Sequence, residues 1–283
     1  MKKFIIAILT AILVLSTSTI NVEAKQTDFS YLENYNKTGI KLLSNGNIEV
    51  FLKKKHGQNG YIAIDKYKKL NKVYKIPTGK KVILPLVYGT GKYTIYIGYS
   101  KSTKMDLTFN VAKQHTVNVK KLNEKRYLSK SFIILGTQSP QIKQLLNTQF
   151  KGWQKWSDKE KVIKVTRYFE KWSYSDALAS YVDNHWYSPN YKARIHYKNG
   201  ICYDTSAITA SLLRSMGIET KFIGGYFKFD KSTYHAWNEV KLGGKWYTVD
   251  NTFNMKVRFE DDWFYPDEPV FEKSSNYIKY EQF

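Results

Sequence analysis

The sequence predicts an α+β protein in which a small all-β region precedes a region of mixed helices and strands. Short β-branched and aromatic runs separated by turn residues occupy residues 47–119. Helical periodicity begins at Pro140, and a long apolar helix is later followed by a pattern typical of a β-hairpin. The 283 residues are enough for two domains, which we place at residues 25–125 and 126–283.

The all-β region is predicted from five short runs. Turn signals at Asn45-Gly46, Asn59-Gly60, Pro77-Thr78-Gly79 and Gly89-Thr90-Gly91 separate them. The runs are 48–52, 82–84, 93–97, 107–111 and 116–119. Short strands at this spacing favour a small immunoglobulin-like sandwich, which would be a spacer, a binding module or a purely structural domain.

Residues 1–24 have the features of a signal peptide. Lys2 and Lys3 precede an apolar run at 4–15, and small residues lie around Ala24, where we expect cleavage. The alternative is an uncleaved anchor, although the run is too short to cross a bilayer comfortably. The expected location is therefore extracytoplasmic, either secreted or at the cell surface.

The composition is strongly basic, with 45 Lys+Arg against 24 Asp+Glu and a formal charge of +21. Such a surface attracts polyanions. Export favours an anionic cell-wall polymer or a membrane surface as the partner, and we expect no nucleic acid because no RNA- or DNA-binding motif is present. The alternative is a lysine-rich surface that serves only solubility.

Two helices are predicted after residue 139. Pro140 opens the first, which carries Ile142, Leu145, Leu146 and Phe150 at helical spacing. A capping box at 157–160 opens the second. Residues 177–200 show little periodicity and are expected to form a long polar loop, of the kind that often walls a substrate cleft.

Cys202 is the single cysteine in the chain. A single cysteine excludes an intramolecular disulfide and a multi-cysteine metal site. Three roles are left for it: a reactive thiol, a partner in an intermolecular disulfide or a buried inert residue. Residues 205–216 form an apolar helical stretch that ends at Gly217. Cys202 is thereby placed at the first turn, where the positive end of the helix favours a thiolate, and Asp204 suits the same turn.

A hairpin is predicted from Tyr234 to Asp250 with Gly243-Gly244 as its turn. If Leu242 pairs with Lys245, Asp250 lies opposite Trp237 and diagonally next to His235 on the same face. The Asp250 carboxylate can then orient the imidazole, whose free nitrogen can take a proton from a thiol. The sequence therefore predicts a catalytic set of Cys202, His235 and Asp250.

Several aromatic and histidine residues near the motifs have alternative roles. His185 and His196 are rival bases for which no orienting carboxylate can be placed. Aromatic residues near the motifs are expected to be core or cleft wall rather than specific binders. These are Tyr226, Tyr234, Trp237 and Trp246. No cluster has metal-ligand spacing, so we predict neither a metal nor another cofactor.

Five segments together resemble the bacterial transglutaminase-like domain. They are 199–202, 212–218, 224–226, 235–240 and 246–253. The resemblance covers residues 126–283 and implies a papain-like cysteine-protease fold, with Cys202 as nucleophile, His235 as general base and Asp250 as orienting acid. Asn251 departs from the family, which often has proline there. Animal relatives use calcium, but no acidic loop here supports carrying that over.

The resemblance implies acyl transfer through a thioester. We expect an exported cysteine acyltransferase, peptidase or amidohydrolase that acts on amide groups of extracellular or wall-associated protein or peptide. Transamidation, proteolysis and deamidation all stay open. The alternative is a catalytically silent surface protein that acts as an adhesion or wall-binding module, favoured by the basic charge and the β region.

Overall fold

The structure is a computed structural model that describes residues 38–66, 70–102, 109–183, 187–253, 255, 272 and 274–283. The expected signal peptide and its cleavage position lie outside these residues, as does His185. No helix in this part of the chain is both long and apolar enough to span a membrane.

The first half forms two antiparallel sheets, which confirms the all-β prediction. Its strands are β1 (Gly39–Leu42), β2 (Asn47–Phe51), β3 (Asn59–Lys66), β4 (Leu70–Ile76), β5 (Lys81–Pro85), β6 (Gly91–Ser100) and β7 (Asn110–Val119). The strand orders are β1-β2-β5 in one sheet and β4-β3-β6-β7 in the other. Ile48 and Val50 from the first sheet share an apolar core with Ile62 and Ile64 from the second.

Two details of the predicted β region are corrected. The turn predicted at Asn59-Gly60 is wrong, because both residues begin β3. Gly60 is needed there by close packing, since a Cβ would lie 2.9 Å from the Ile76 carbonyl oxygen; Gly57, with a φ of +66°, lies in the preceding turn. Residues 110–111 of the first run and all of the run at 116–119 belong to one strand, β7, whose exposed edge position explains the polar residues between them. Residues 107–108 of the first run lie outside the described residues.

The second half is a mixed helix and sheet region. Its helices are α1 (Pro140–Asn147), α2 (Asp158–Arg167), α3 (Asp176–Val182), α4 (Tyr191–Tyr197) and α5 (Cys202–Ser215). Its strands are the short parallel pair β8 (Ser173–Tyr174) and β9 (Asn199–Gly200), and a sheet of β10 (Thr220–Phe227), β11 (Tyr234–Leu242), β12 (Lys245–Val249) and β13 (Tyr277–Gln282). The sheet order is β12-β11-β10-β13.

The helix starts at Pro140 and Ser157 are confirmed. Pro140 is the first residue of α1, and the Ser157 hydroxyl accepts from the Glu160 backbone N–H in a complete capping box. The long loop predicted at 177–200 is wrong, because it contains most of α3 and all of α4. These helices are only seven residues long, too short to show periodicity, and side-chain caps from Ser175 and Asn190 start them.

The two halves share one core. Leu86 and Ile97 belong to the same apolar cluster as Leu212 and Phe222. Backbone contacts also join the halves: the Gln282 N–H in β13 donates to the Val87 carbonyl at 3.1 Å. The division at residue 125 stays a prediction, but α5 and its sheet are packed against the β region rather than held apart from it.

Candidate active site

Helix α5 presents Cys202 at its first position. The thiol is 8% exposed, and apolar and small polar residues bury nearly all of the helix behind it. Backbone N–H groups of a first turn have no intrahelical partner, so they can stabilise a negative sulfur or a developing oxyanion. The predicted placement of the cysteine at the start of a central helix is confirmed.

Asp204 stabilises this helix start from inside the protein. Its carboxylate accepts from the Ile201 backbone N–H at 3.0 Å and from the Tyr187 hydroxyl at 2.5 Å. Burial raises the pKa of Asp204 to about 6, although these two hydrogen bonds act in the opposite direction. Asp204 is therefore an internal cap whose carboxylate lies next to Gly200, with no contact to His235 or Asp250 in the described structure.

The hairpin has the register that the sequence predicted. Leu242 pairs with Lys245 and Asn238 pairs with Val249, so Asp250 follows β12 next to the His235 side of β11. Gly243 and Gly244 form the turn with φ values of +55° and +79°, which favours glycine at both positions. His235 Nε2 lies 2.5 Å from Asp250 Oδ2, and both side chains are buried.

Cys202 and His235 are also in contact, although they lie on different elements. The thiol lies close enough to the imidazole to help raise the pKa of His235. Because Nε2 is engaged by Asp250, Nδ1 is the ring nitrogen that is left for sulfur. The structure thus brings together all three side chains that the sequence singled out.

The electrostatics of the pair favour a charged imidazole. Burial alone would lower the pKa of His235, but the charge and hydrogen bond of Asp250, with a contribution from Cys202, raise it to about 10. The raised pKa favours an imidazolium at neutral pH. An imidazolium beside a thiol at a helix N-terminus favours transfer of the thiol proton and formation of an ion pair.

Tyr277 is a site residue that the sequence analysis missed. Its hydroxyl donates to Asp250 Oδ2 at 3.0 Å, and the Thr252 backbone N–H donates to Oδ1 at 3.1 Å. Burial and the Asp250 charge raise the pKa of Tyr277 well above its usual value, so it stays a donor. No motif marks Tyr277, because only the pairing of β13 with β10 brings it to Asp250.

Two asparagines hold the hairpin on α5. Asn238 Nδ2 donates to the Ser206 carbonyl at 3.1 Å, and Asn251 Nδ2 donates to Thr209 Oγ1 at 2.5 Å. Asn251 is the position where the resembled family often has proline. The hydrogen bond from Asn251 to Thr209 gives asparagine a structural role at this position, because it connects the residue after Asp250 to the helix that carries Cys202.

Aromatic rings surround the imidazole. Phe227 stacks on His235 with a centroid distance of 4.3 Å and an angle of 26°, and Trp237 lies 6.0 Å away on the same strand. Trp237 is fully buried, while Trp246 packs on Tyr127 and under the Lys221 ammonium. The apolar rings exclude water from the His235–Asp250 pair.

The rival base His196 lies in α4, where its ring is exposed and packs on Tyr197 at 4.7 Å. The other rival, His185, cannot be placed because it lies outside the described residues. Within those residues no three His, Cys, Asp or Glu side chains cluster as metal ligands.

The fold and site define a mixed α/β domain with cysteine, histidine and aspartate side chains in contact. Residues 146–251 match the model of the transglutaminase-like superfamily, and all three side chains lie inside that segment. This segment is a transglutaminase-like domain. No curated protein matches the chain significantly.

Solved structures with similarity to the chain include three from bacteria and fish. A candidate cysteine protease from Cytophaga hutchinsonii has 14% identity, a TM-score of 0.40 and coverage of 84% of this chain and 79% of its own. The periplasmic domain of TgpA from Pseudomonas aeruginosa, bound to ethylmercury, has 12% identity, a TM-score of 0.36 and coverage of 70% and 90%. Red sea bream transglutaminase has 11% identity, a TM-score of 0.21 and coverage of 73% and 48%.

Proposed function

We propose that the protein is an exported cysteine-dependent acyltransferase or amidohydrolase that forms a thioester at Cys202. Its substrates are amide groups of extracellular or wall-associated protein or peptide. The observation that carries the proposal is the contact chain from the Cys202 thiol through the imidazole to Asp250. The family match supports the reaction class, and the geometry supports the residue roles.

The first half-reaction is attack by sulfur. The Cys202 thiolate adds to the amide carbonyl carbon, and the carbonyl oxygen takes the negative charge near the N–H groups at the start of α5. The His235 imidazolium gives its proton to the amide nitrogen. The C–N bond then breaks, ammonia or an amine leaves, and the acyl group stays on sulfur as a thioester.

The second half-reaction regenerates the thiolate. His235, now neutral, takes a proton from an amine or a water as that molecule attacks the thioester carbon. The C–S bond breaks and the sulfur leaves as thiolate beside the renewed imidazolium. An attacking amine yields transamidation, and attacking water yields hydrolysis.

Asp250 and Tyr277 are positioning residues in this scheme. Asp250 holds Nε2 so that Nδ1 faces sulfur, and it stabilises the imidazolium. Tyr277 and the Thr252 N–H hold the carboxylate in turn. The apolar surroundings exclude water that would otherwise compete for these hydrogen bonds.

We also propose where the protein acts and what its β region contributes. The basic charge would draw the exported protein to an anionic wall polymer or membrane surface. The sheet orders β1-β2-β5 and β4-β3-β6-β7 support an immunoglobulin-like arrangement of the β region. Because that region packs on the sheet of the transglutaminase-like domain, it would form part of the same working unit.

Incubation with a glutamine-rich protein and a labelled primary amine tests the proposal. Covalent label indicates transamidation, new peptide termini indicate proteolysis and released ammonia alone indicates deamidation. Each product should disappear in Cys202→Ala. A protein that yields none of the three products and also lacks a reactive Cys202 thiol would support the silent wall-binding alternative instead.

A further inference from the structure

Two phenylalanines continue outward from the imidazole as a stacked pair. Phe229 stacks on Phe227 at 4.9 Å with an angle of 13°, and Phe227 stacks on His235 at 4.3 Å. Phe229 is 80% exposed, while Phe227 is half-buried. We call Phe227 and Phe229 the aromatic ledge.

The ledge is held by its loop rather than left loose. Asp230 Oδ1 accepts from the Ser232 backbone N–H at 2.8 Å and from the Ser232 hydroxyl at 2.6 Å. The Lys228 backbone N–H donates to the Asn276 carbonyl at 2.8 Å, which connects the loop to the residue before β13. An ordered turn therefore holds an exposed apolar ring next to the reacting groups, stacked in line with the imidazole.

We propose that the aromatic ledge is a substrate subsite for an aromatic or large aliphatic side chain. The occupant lies on the amine side of the bond that is broken or formed, because His235 exchanges its proton with that amine and the ledge begins at His235. This inference rests on the proposed function and adds the substrate class that the site prefers.

The spacing suits an extended peptide. Two stacking steps of 4.9 and 4.3 Å place the Phe229 ring no more than about 9 Å from the imidazole. Side chains two positions apart on an extended chain project to the same side about 7 Å apart. A side chain two positions beyond the reacting amide would thus reach the ledge while the amide stays at the Cys202 thiol.

The test uses alkylating peptides, because they report on the ledge without a known substrate. Iodoacetyl-Gly-Phe-amide and iodoacetyl-Gly-Ser-amide place an aromatic or a polar side chain beyond the group that reacts with Cys202. We expect the aromatic probe to alkylate Cys202 about five- to tenfold faster, the range expected for a ring that stacks on an exposed aromatic surface. In Phe229→Ser this ratio should fall below about twofold, and Phe229→Leu should retain part of it.

Two controls separate the subsite from the activation of the thiol. Plain iodoacetamide should alkylate wild type and Phe229→Ser at the same rate, and Val111→Ser, which changes an exposed apolar residue of β7, should keep the full probe ratio. An unchanged ratio in Phe229→Ser would overturn the subsite while leaving the proposed function intact. Slow alkylation of Cys202 by every reagent would count against activation of the thiol. If the aromatic probe still reacted faster than the polar probe under those conditions, the aromatic ledge would still be supported.

Discussion

At the level of single residues, the Asp250 carboxylate is held by more groups than the three predicted side chains. His235 and Tyr277 both hydrogen-bond to Oδ2, and the Thr252 N–H donates to Oδ1. The half-buried Glu272 interacts with the Asp250 carboxylate through charge. The pKa of Glu272 is raised by burial and by Asp250. Removal of one donor should therefore weaken the support that this carboxylate gives to His235.

Tyr277→Phe tests that arrangement. A hydrogen bond to a charged group contributes about 1.5–3 kcal/mol, so its loss should weaken the hold on the Asp250 carboxylate and with it the orientation of His235. We expect kcat/KM for acyl transfer to fall by up to about tenfold, because only part of that energy acts on the imidazole. The measurement is kcat/KM from pH 4 to 9.

Tyr280→Phe is the matched control, because Tyr280 lies on the same strand with an exposed side chain. It should leave kcat/KM unchanged across the same pH range. Equal profiles for wild type and Tyr277→Phe would show that the hydroxyl does not support Asp250.

At the level of elements, the pairing of β10 with β13 depends on Gly225. A Cβ at this position would lie 2.0 Å from the Ile278 carbonyl oxygen and 2.9 Å from Trp237, and the register of the two strands shifts between Gly224 and Gly225. The strand that carries Tyr277 can approach β10 only because this residue has no side chain.

Gly225→Ala should therefore destabilise the protein. Backbone displacement and overpacking predict a loss of about 1–3 kcal/mol in the free energy of unfolding, together with lower activity because Tyr277 moves with β13. Urea unfolding measures the first effect. Gly136→Ala, whose Cβ would meet its neighbours at 3.5 Å or more, should change neither property.

The elements differ in how far sequence reasoning could predict them. The β11–β12 hairpin was predictable to the residue because a two-glycine turn sets the register of adjacent strands. The pairing of Cys202 with His235 was predicted from the chemistry of the two groups and supported by the family resemblance, because no local rule places α5 against β11. Tyr277 and the aromatic ledge were not reached, because strand pairing distant in sequence and loop exposure leave no periodic pattern. Helices α3 and α4 were missed because seven residues are too few to show helical periodicity, although Ser175 and Asn190 cap them.

At the level of the whole molecule, an ion pair joins the two halves. Lys72 Nζ on β4 lies 2.9 Å from Glu281 Oε1 on β13, and Glu281 is almost fully buried. The shared core around it predicts one cooperative unfolding transition for both halves.

Lys72→Met should lower stability because it leaves the buried Glu281 without its cation. The loss expected for breaking such a partly buried pair is about 2–4 kcal/mol. Lys81→Met breaks the ion pair between Lys81 and Glu49, which is more exposed than the pair between Lys72 and Glu281. It should lower the free energy of unfolding by less than about 1 kcal/mol. Urea unfolding followed by fluorescence measures both, and two separate transitions in wild type would contradict the single unit.

The ionisation of the cysteine is the central claim, and alkylation of Cys202 by iodoacetamide across pH 4 to 11 tests it most directly. The wild-type protein should react at pH 6 at least about tenfold faster than His235→Ala, because the imidazolium stabilises the sulfur anion. This advantage should be lost as pH rises through about 10, where the pKa of His235 lies and the imidazolium gives up its proton. Equal rates for wild type and His235→Ala from pH 4 to 11 would contradict the ion pair and the acyl-transfer function built on it.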